Sequence, residues 1–580
     1  MTERAVIARA WLSQFPGWLH GRRARGATEL LLVLVVPALV LLAVGAARWT
    51  PPNTPDSEFY LSLSSFGHQI TDRAVTPAYY WTRLGVIAPL RLFTHVLGVD
   101  AGYALWRWLL LSVAVVPAYY LGRSIMGRGA GAAGAAVVGL NTVFLTVVAN
   151  PYPTGAVVAI LAGEVAVLGL AMGTSGARQR GLLVSAGALV GWVAMCNQIA
   201  GVYGVLVAVP FAVVLLARRP RHGITGLVFA AGAAVTVFLG LLFVGTILFP
   251  QLVWWATTRY YLTALNPGAF HSDDLGWLAA SPALLVLLAV VGLALFLAKR
   301  WVEGRILLLA ASAAVALSVV FAAWNQFVSS GILLETPIYV AFLWGPALAL
   351  GAVCVIRLAG PGSRGWVAAG VVVLASALVG RLATASFEVW PAGVAVLVAL
   401  GAVCMAGVLL APRTAGAGAL LAVAMFAIGI QVLQNGTPRD TQTVSARIPY
   451  TAAYRNLGAT EGYALDLTVE RWVIESTAPT EKVLVWSPDP LLGGVAAMNL
   501  NGPNAVSMVQ TINAEQASFV GSVAPVRVLI IARSPSGISR LFAVARRASL
   551  DLVPGPCTTF SSPGIIRQVV ACLSLVKART

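Results

Sequence analysis

Two acidic residues stand close together just after the first apolar run of the chain, in a sequence with few ionisable side chains elsewhere. Asp56 and Glu58 follow a proline-rich turn that ends any preceding helix. A carboxylate at that point could accept the proton of an attacking hydroxyl. Alternatively, the acid-x-acid spacing could hold a divalent cation against a phosphate. A solvated loop whose acids begin a helix predicts the same pattern, because the helix dipole favours carboxylates there.

Other polar side chains in the loops between apolar runs are candidates for the same site. His68 and Asp72 are one helical turn apart and could form a hydrogen-bonded pair, either behind the site or on a plain surface. Glu335 precedes a later apolar run and could face the same cavity, although acids at helix starts are common. The remaining candidates are Tyr80, Tyr152 and His271. Tyrosines that stack on a sugar ring and tyrosines of an interfacial aromatic belt would both be enriched in these loops.

The chain that carries these residues is too apolar for a set of soluble domains. Of its 580 residues, 59% are hydrophobic and 10% are charged, which is typical of a membrane protein. The net charge of +17 comes from short basic clusters at every second loop, such as Arg178 with Arg180 and Arg218 with Arg219 and Arg221. This is the positive-inside pattern, so the charge indicates topology and anionic lipid headgroups, and it argues against nucleic-acid binding.

About thirteen apolar runs are long enough to cross a bilayer as helices. They centre on residues 28–48, 103–122, 130–149, 155–173, 181–197, 200–217, 224–249, 281–298, 306–324, 337–357, 366–385, 391–411 and 415–433. The first run is long enough to be a retained helix, although its Ala-rich end also fits a cleaved signal peptide. Asn197 and Gln198 are predicted to form a tight turn between two short helices.

The basic clusters fall on one side of this arrangement. They place the N-terminus in the cytoplasm and, with an odd number of spans, the C-terminus outside. The longer loops, 49–102, 250–280 and 325–336, then lie outside, so any chemistry is expected there. The cytoplasmic loops are too short for a βαβ nucleotide-binding unit, which needs roughly 30 residues or more.

Apolar runs shorten and charges return from Gln434 onward. We therefore predict a transmembrane domain over residues 1–433 and an extracytoplasmic soluble domain over residues 434–580. Apolar β-rich runs at 482–486 and 526–531 alternate with helical patterns at 464–477, 513–522 and 536–548. This alternation predicts an α/β layer with a largely parallel sheet.

The cysteines divide between the two predicted domains. Cys196, Cys354 and Cys404 lie in predicted spans, where they are most simply packing residues. Cys557 and Cys572 lie in the outside domain, where oxidation is permitted, so the sequence allows a disulfide between them.

The order of these parts resembles the GT-C superfamily of membrane glycosyltransferases, in particular its ArnT-like and PMT-like bacterial members. The likeness rests on a basic arm, one span, and an outside loop that contains the run Asp56, Ser57, Glu58, Phe59 and Tyr60. Residues 76–89 resemble the amphipathic loop segment of bacterial members, and residues 471–490 resemble the start of their extracytoplasmic domain.

The resemblance implies a GT-C-like polytopic helical fold, an acidic catalytic base in the first outside loop, and a sugar donor carried on a polyprenyl phosphate. By position, Asp56 is the expected base, and Glu58 is a second base or a metal ligand. The D-x-E spacing differs from the adjacent acids of many members, so the division of labour between the two stays open. A divalent cation held by both is the cofactor this pair allows.

A lipid-linked donor suits a site outside the cytoplasm, where no nucleotide-sugar pool exists. Such a donor leaves as a phosphate, so cationic groups near the interface should stabilise the developing charge. Arg83 and Arg259 are the expected phosphate ligands, since arginine binds phosphate oxygens in a bidentate way. Interfacial anchoring of helices predicts arginines at the same places.

The expected activity is therefore glycosyl transfer to a cell-envelope glycan, lipid or protein acceptor at the outer face of a bacterial plasma membrane. A transporter or flippase of a lipid-linked glycan is an alternative, in which Glu164 within the fourth predicted span would matter more than Asp56. No convincing internal repeat supports that alternative. The third possible function is that of a non-catalytic envelope scaffold, in which the clustered acids would have no role.

Overall fold

The computed structural model describes the chain over several stretches. These are residues 35, 56–73, 79–141, 144, 147–148, 152–250, 252–264, 283–302, 304–329, 333–334, 337–361, 364–365, 368–369, 468–487, 517–518, 520, 526–561 and 568–576. The helices are α1 Asp56–Phe66, α2 Leu84–Leu97, α3 Val99–Met126, α4 Arg128–Gly139, α5 Thr154–Met172, α6 Gly176–Cys196, α7 Gln198–Arg218, α8 Pro220–Leu248, α9 Trp254–Ala264, α10 Ala283–Arg300, α11 Arg305–Phe327, α12 Trp344–Ala359, α13 (residues 468–476) and α14 Pro535–Arg547. Short helical turns cover His68–Thr71, Tyr79–Thr82, Pro337–Val340 and Ala341–Leu343.

Seven helices of the described chain are long and apolar enough to cross a membrane, so the protein is a multi-pass membrane protein. They are α3, α5, α6, α7, α8, α11, and α12 together with the turn that precedes it. Each lies within a few residues of a predicted span, and α10 matches the run predicted at 281–298. The predicted spans 28–48, 366–385, 391–411 and 415–433 lie outside the described residues, apart from residues 35, 368 and 369.

The continuous span predicted at 130–149 is wrong. Helix α4 ends at Gly139, and the Asn141 Oδ1 accepts a hydrogen bond from the Phe144 N–H at 3.2 Å. An asparagine in that position caps the start of a new helical turn. The helix is therefore interrupted at Leu140 and Asn141, where apolarity alone predicted one continuous helix.

The tight turn predicted at Asn197 is present, but the helices that it joins are long. The Asn197 Oδ1 accepts hydrogen bonds from the N–H groups of Ile199 and Ala200, at 3.0 and 3.4 Å, and so caps α7. Helices α6 and α7 each have 21 residues, which is enough to cross a bilayer.

Helix α5 lies at the centre of the described bundle, and α8 lies at its periphery. Every residue of α5 from Thr154 to Ala171 is buried, whereas none of the most apolar part of α8 is. Helices α6 and α8 approach closely at Gly187, where a Cβ atom would lie 1.9 Å from the Ala230 carbonyl oxygen. Small residues permit this backbone approach between membrane helices.

The predicted outside loop 49–102 is largely helical over its described part. It contains α1, the turn His68–Thr71, the 3₁₀ turn Tyr79–Thr82 and α2. Helix α2 has 14 residues and an internal Pro89, so it is too short to cross the membrane. The loop is thus a helical layer packed on the end of the bundle.

The described strands of the C-terminal part form one sheet in the order β1-β2-β5-β3, with β4 also paired to β5. The strands are β1 Val483–Trp486, β2 Arg527–Ala532, β3 Leu552–Val553, β4 Cys557–Ser561 and β5 Gln568–Val576. Only β1 and β2 are parallel among them, and the other three pairings are antiparallel. The largely parallel sheet predicted from the sequence is wrong for the described strands, because β5 runs antiparallel to all three of its partners, β2, β3 and β4.

Cys557 and Cys572, the two cysteines for which the sequence allowed a disulfide, are opposite each other on β4 and β5 and are bonded. Helix α14 follows β2 and is capped by the Ser534 Oγ, which accepts from the Gly537 N–H at 3.1 Å. It packs on one face of the sheet through Ile538, Leu541 and Ala545.

The opposite face of the sheet packs on the first-loop helices. Alternate strand residues, including Val485, Leu529 and Ala571, share one buried cluster with Tyr60 and Leu63 of α1. The period of two along each strand explains how both faces are buried at once. The first loop therefore packs directly on one face of the C-terminal sheet.

Candidate active site

The two acids singled out from the sequence lie in the first turn of α1. The helix begins at Asp56 and also contains Glu58. Acidic residues are common in the first turn of a helix, where the helix dipole is favourable to negative charge. Tyr60 follows Asp56 by one helical turn, which makes the two positions neighbours on the helix surface.

Tyr60 is the centre of an aromatic cluster that contains two of the predicted site residues. Its ring is almost fully buried and meets the rings of Tyr80 and Tyr152 edge to face, with centroids 5.8 and 5.6 Å apart. This geometry is favourable for aromatic pairs. Tyr80 and Tyr152 remain partly exposed. The fold thus brings two residues that are 72 positions apart in sequence to the same tyrosine, one turn from Asp56.

Arg83 is buried between the 3₁₀ turn Tyr79–Thr82 and α2. Its Nη1 donates to the Gln198 Oε1, and the Gln198 Nε2 donates to the Thr82 Oγ1 at 3.2 Å. Gln198 begins α7 directly after the capped turn at Asn197. Arg83 is therefore held in place by the end of the helix bundle. The sequence predicted the turn at Gln198 but not the hydrogen bonds that its side chain makes. The only sequence signal for these bonds is a polar residue at the end of a span.

Arg259 lies exposed on α9, whose first residue packs on the same 3₁₀ turn. The Trp254 Nε1 donates to the Thr82 carbonyl oxygen at 3.0 Å, and the Trp254 ring meets Phe238 edge to face at 5.5 Å. The elements that carry Arg83 and Arg259 are thus joined through Thr82. Arg83 is enclosed and Arg259 is accessible, so the two arginines could not contact a ligand in the same way.

His68 and Asp72 lie at the start and just beyond the end of the short helix His68–Thr71. The contact between them is the Asp72 N–H donating to the His68 carbonyl oxygen at 2.8 Å. Their side chains form no hydrogen bond with each other in the described structure, and His68 is exposed. Two further predicted residues, His271 and Glu335, lie outside the described residues.

Two buried polar contacts hold this layer to the C-terminal part. The Ser62 hydroxyl of α1 donates to the Glu470 Oε2 of α13, and both residues are fully buried. Arg73 is also buried, and its Nη2 donates to the carbonyl oxygens of Ile474 and Thr477, both at 3.1 Å. These carbonyls lie at the C-terminal end of α13, where a cation is favoured by the helix dipole.

Burial and neighbouring charges shift the pKa values of the cations at this junction. Burial lowers the pKa of Arg73, and the nearby Asp72 and Glu481 oppose that shift. Burial likewise lowers the pKa of Lys482, whose Nζ donates to the Asp72 carbonyl oxygen at 2.9 Å. Sequence reasoning did not single out Ser62, Arg73, Glu470 or Lys482, since each belongs to an unremarkable local pattern.

Glu164 lies inside the bundle on α5 and is completely buried. Neither of its carboxyl oxygens has a hydrogen-bond partner among the described residues. Its Oε2 lies next to Gly204 of α7, 3.6 Å from where a Cβ atom would be. The acid is therefore enclosed by helices and separate from the Tyr60 cluster. As for metal ions, no group of three or more His, Cys, Asp or Glu side chains that could hold one is present in the described part of the chain.

No family model matches the sequence, and no curated protein matches it. Two solved structures of ArnT from Cupriavidus metallidurans do resemble the chain. The apo state of ArnT has a TM-score of 0.53 and 15% sequence identity, and the match covers 94% of this chain and 98% of ArnT. ArnT bound to undecaprenyl phosphate has a TM-score of 0.51 with the same identity and coverage. The chain therefore has an ArnT-like fold, and ArnT is a GT-C glycosyltransferase.

Proposed function

We propose that the protein is a GT-C-type glycosyltransferase that moves a sugar from a polyprenyl-phosphate donor to a cell-envelope glycan, lipid or protein at the outer face of the membrane. The observation that carries this proposal is the ArnT-like fold over 94% of the chain. The ArnT structure with undecaprenyl phosphate supports a donor built on a polyprenyl phosphate. A lipid-linked donor can diffuse in the membrane plane to a helical layer such as the one formed by α1 and α2.

In the proposed reaction, Asp56 takes the proton of the acceptor hydroxyl as that oxygen attacks the anomeric carbon of the sugar. The bond between this carbon and the donor phosphate oxygen breaks, and polyprenyl phosphate leaves. A single displacement of this kind inverts the anomeric carbon. Glu58 acts as a second base or as a ligand to a divalent cation. Restoration of EDTA-inhibited transfer by Mg²⁺ or Mn²⁺ would assign the cation role.

The arginines are proposed to stabilise the departing phosphate. Arg259 is exposed on α9 and could meet a headgroup that arrives from the membrane. Arg83 is enclosed and held by Gln198, so it supplies positive charge to the site from behind the 3₁₀ turn. The partly exposed rings of Tyr80 and Tyr152 are proposed to line the sugar side of the site.

The proposed orientation puts the N-terminus in the cytoplasm and the C-terminal sheet outside. Two findings support it. The basic junctions between α5 and α6 and between α7 and α8 lie at the same end of their helices. The opposite ends of α6 and α7 meet Arg83 of the first loop. The positive-inside rule assigns the basic end to the cytoplasm and hence the first loop to the outside.

Transfer can be tested with the purified full-length chain in lipid nanodiscs. The protein is incubated with a radiolabelled sugar on a synthetic polyprenyl phosphate and with a delipidated envelope extract as the acceptor source. We expect label to move into the envelope fraction while free polyprenyl phosphate accumulates. Donor that stays intact across the common envelope sugars and acceptor fractions, relative to heat-inactivated protein, would reject the proposal.

Translocation of a lipid-linked glycan is the second candidate function, and the buried Glu164 is the observation that favours it. Buried acids inside membrane helices often belong to transport pathways. The two functions differ in their response to Glu164→Gln. A transporter should lose translocation of lipid-linked glycan in proteoliposomes, whereas the proposed transferase should keep sugar transfer.

A further inference from the structure

A cavity of about 610 Å³ opens at the end of the helix bundle opposite the first loop. One wall comes from the junction of α5 and α6, through Ser175, Gly176 and Gln179, and the other from the junction of α7 and α8, through Arg219, Arg221 and His222. Helix α7 runs from Gln198, beside Arg83, to Arg218 at this cavity. A helix of 21 residues spans roughly 30 Å, so the cavity is about one membrane thickness from the candidate active site.

The cavity is positively charged. Arg219 and Arg221 are exposed, and neither forms a salt bridge with any described residue. His222 lies on the same wall. Arginine presents a planar fork of N–H donors that matches the oxygens of a phosphate group.

Local hydrogen bonds fix both walls. The Gln179 Nε2 donates to the Ala171 carbonyl oxygen at 3.0 Å and so ties the start of α6 to the end of α5. The Arg219 N–H donates to the Leu215 carbonyl oxygen at 3.0 Å, and the Arg219 carbonyl oxygen accepts from the Gly223 N–H at 2.7 Å. Arg219 thus caps α8, a helix of 29 residues whose positive dipole end faces the cavity.

An apolar surface begins directly beside these cations. Ile224 and Val228 of α8 are 57% and 65% exposed, and they follow Arg221 by one and two helical turns. Such residues on a peripheral membrane helix face lipid chains. The site therefore combines cations and a helix N-terminus at the membrane edge with a hydrocarbon-facing strip that leads away from them.

We propose that this cavity binds the phosphate headgroup of an anionic glycerophospholipid, with the acyl chains lying along Ile224 and Val228. A soluble phosphate could use the cations but not the apolar strip, and a zwitterionic lipid would bring its own positive charge to Arg219 and Arg221. Binding here is independent of the proposed glycosyl transfer.

Native mass spectrometry of the full-length protein tests this site, with phosphatidylglycerol and phosphatidylcholine titrated into separate detergent samples. We compare R219Q/R221Q with R178Q/R180Q, a matched control that removes two exposed arginines near the same end of α6 but outside the cavity lining. Phosphatidylglycerol should bind about thirtyfold more weakly to R219Q/R221Q than to the wild type or the control. If the double variant does not accumulate, R219Q and R221Q are measured singly, each with an expected weakening of about fivefold.

Three results would overturn the proposal. Equal phosphatidylglycerol affinity in all proteins would show that the cavity is not the site. Equal weakening in both double variants would show a diffuse charge effect. Displacement of phosphatidylglycerol by excess inorganic phosphate, or equally tight binding of phosphatidylcholine, would show that the site does not select an anionic lipid.

Discussion

The Ser62 hydroxyl donates a hydrogen bond to the Glu470 carboxylate, which lies 408 positions later in the chain, and both residues are fully buried. Ser62 lies in the same helix as Asp56, and Glu470 lies in the helix that leads into the C-terminal sheet. The proposed catalytic helix is therefore fixed directly to the C-terminal part. An acceptor bound by the C-terminal part would therefore have a fixed position relative to Asp56.

Ser62→Ala should destabilise the protein, because it removes a partner of a buried carboxylate. The expected loss is about 1–3 kcal/mol, the usual cost of leaving such a group without one of its hydrogen bonds. Thermal unfolding in detergent measures it. Ser65→Ala is the matched control, since the Ser65 hydroxyl on the same helix donates only to the Leu61 carbonyl oxygen. Equal shifts in the two variants would contradict the role assigned to the Ser62 contact.

Arg73→Lys should loosen the junction between the first loop and the C-terminal sheet. Lysine keeps the charge but cannot reach the Ile474 and Thr477 carbonyls with one planar group. We expect amide hydrogen exchange in residues 468–487 to become about tenfold faster. Arg471→Lys, an exposed position on α13, should leave exchange unchanged. Unchanged exchange in Arg73→Lys would show that the buried guanidinium does not hold α13.

The burial of Lys482 makes a contribution to stability that depends on pH. Because burial lowers the pKa of its amine below the ordinary 10.5, the unfolded chain binds more protons than the folded chain between the two values. Stability should therefore rise as the pH increases through that interval. The difference in melting temperature between the wild type and Lys482→Met should change in favour of the wild type as the pH rises towards 10.5, the ordinary pKa of the amine. A constant or shrinking difference in unfolding scans would contradict this.

Glu164→Met should stabilise the protein. Both carboxyl oxygens are buried without a hydrogen-bond partner in the described structure, and methionine has a similar volume. Removing an unsatisfied polar group should gain about 1–3 kcal/mol. Glu475→Met is the control, because Glu475 is exposed on α13 and its replacement should change the melting temperature little. A large loss of stability in Glu164→Met would mean that the carboxyl group makes an essential contact within the bundle.

Membrane helices were the most predictable part of the fold, because bilayer thickness sets their length and apolarity marks them. The runs predicted at 155–173 and 200–217 differ from Thr154–Met172 and Gln198–Arg218 by at most two residues at either end. The break after Gly139 was missed, since it depends on one side-chain cap at Asn141 that hydropathy does not register.

The C-terminal sheet and the site were less predictable, because they depend on pairing between distant segments. The parallel pair β1 and β2 followed from local patterns, but β5 has a nearly continuous buried run that carries no sign of its direction. The sequence identified Asp56 and Glu58 by their chemistry. It could not identify the contact of Ser62 with Glu470 or that of Arg73 with Thr477. A buried contact between residues about 400 positions apart leaves no local signal in the sequence.

In the proposed mechanism Asp56 removes a proton during sugar transfer. The most direct test is the rate of label transfer from the polyprenyl-phosphate donor by Asp56→Asn protein. At matched membrane levels we expect a fall of about 10²- to 10⁴-fold, the usual contribution of a general base. Glu475→Gln, an exposed acid on α13, should transfer at the wild-type rate. Full activity in Asp56→Asn, in Glu58→Gln and in the double variant would contradict the proposed mechanism.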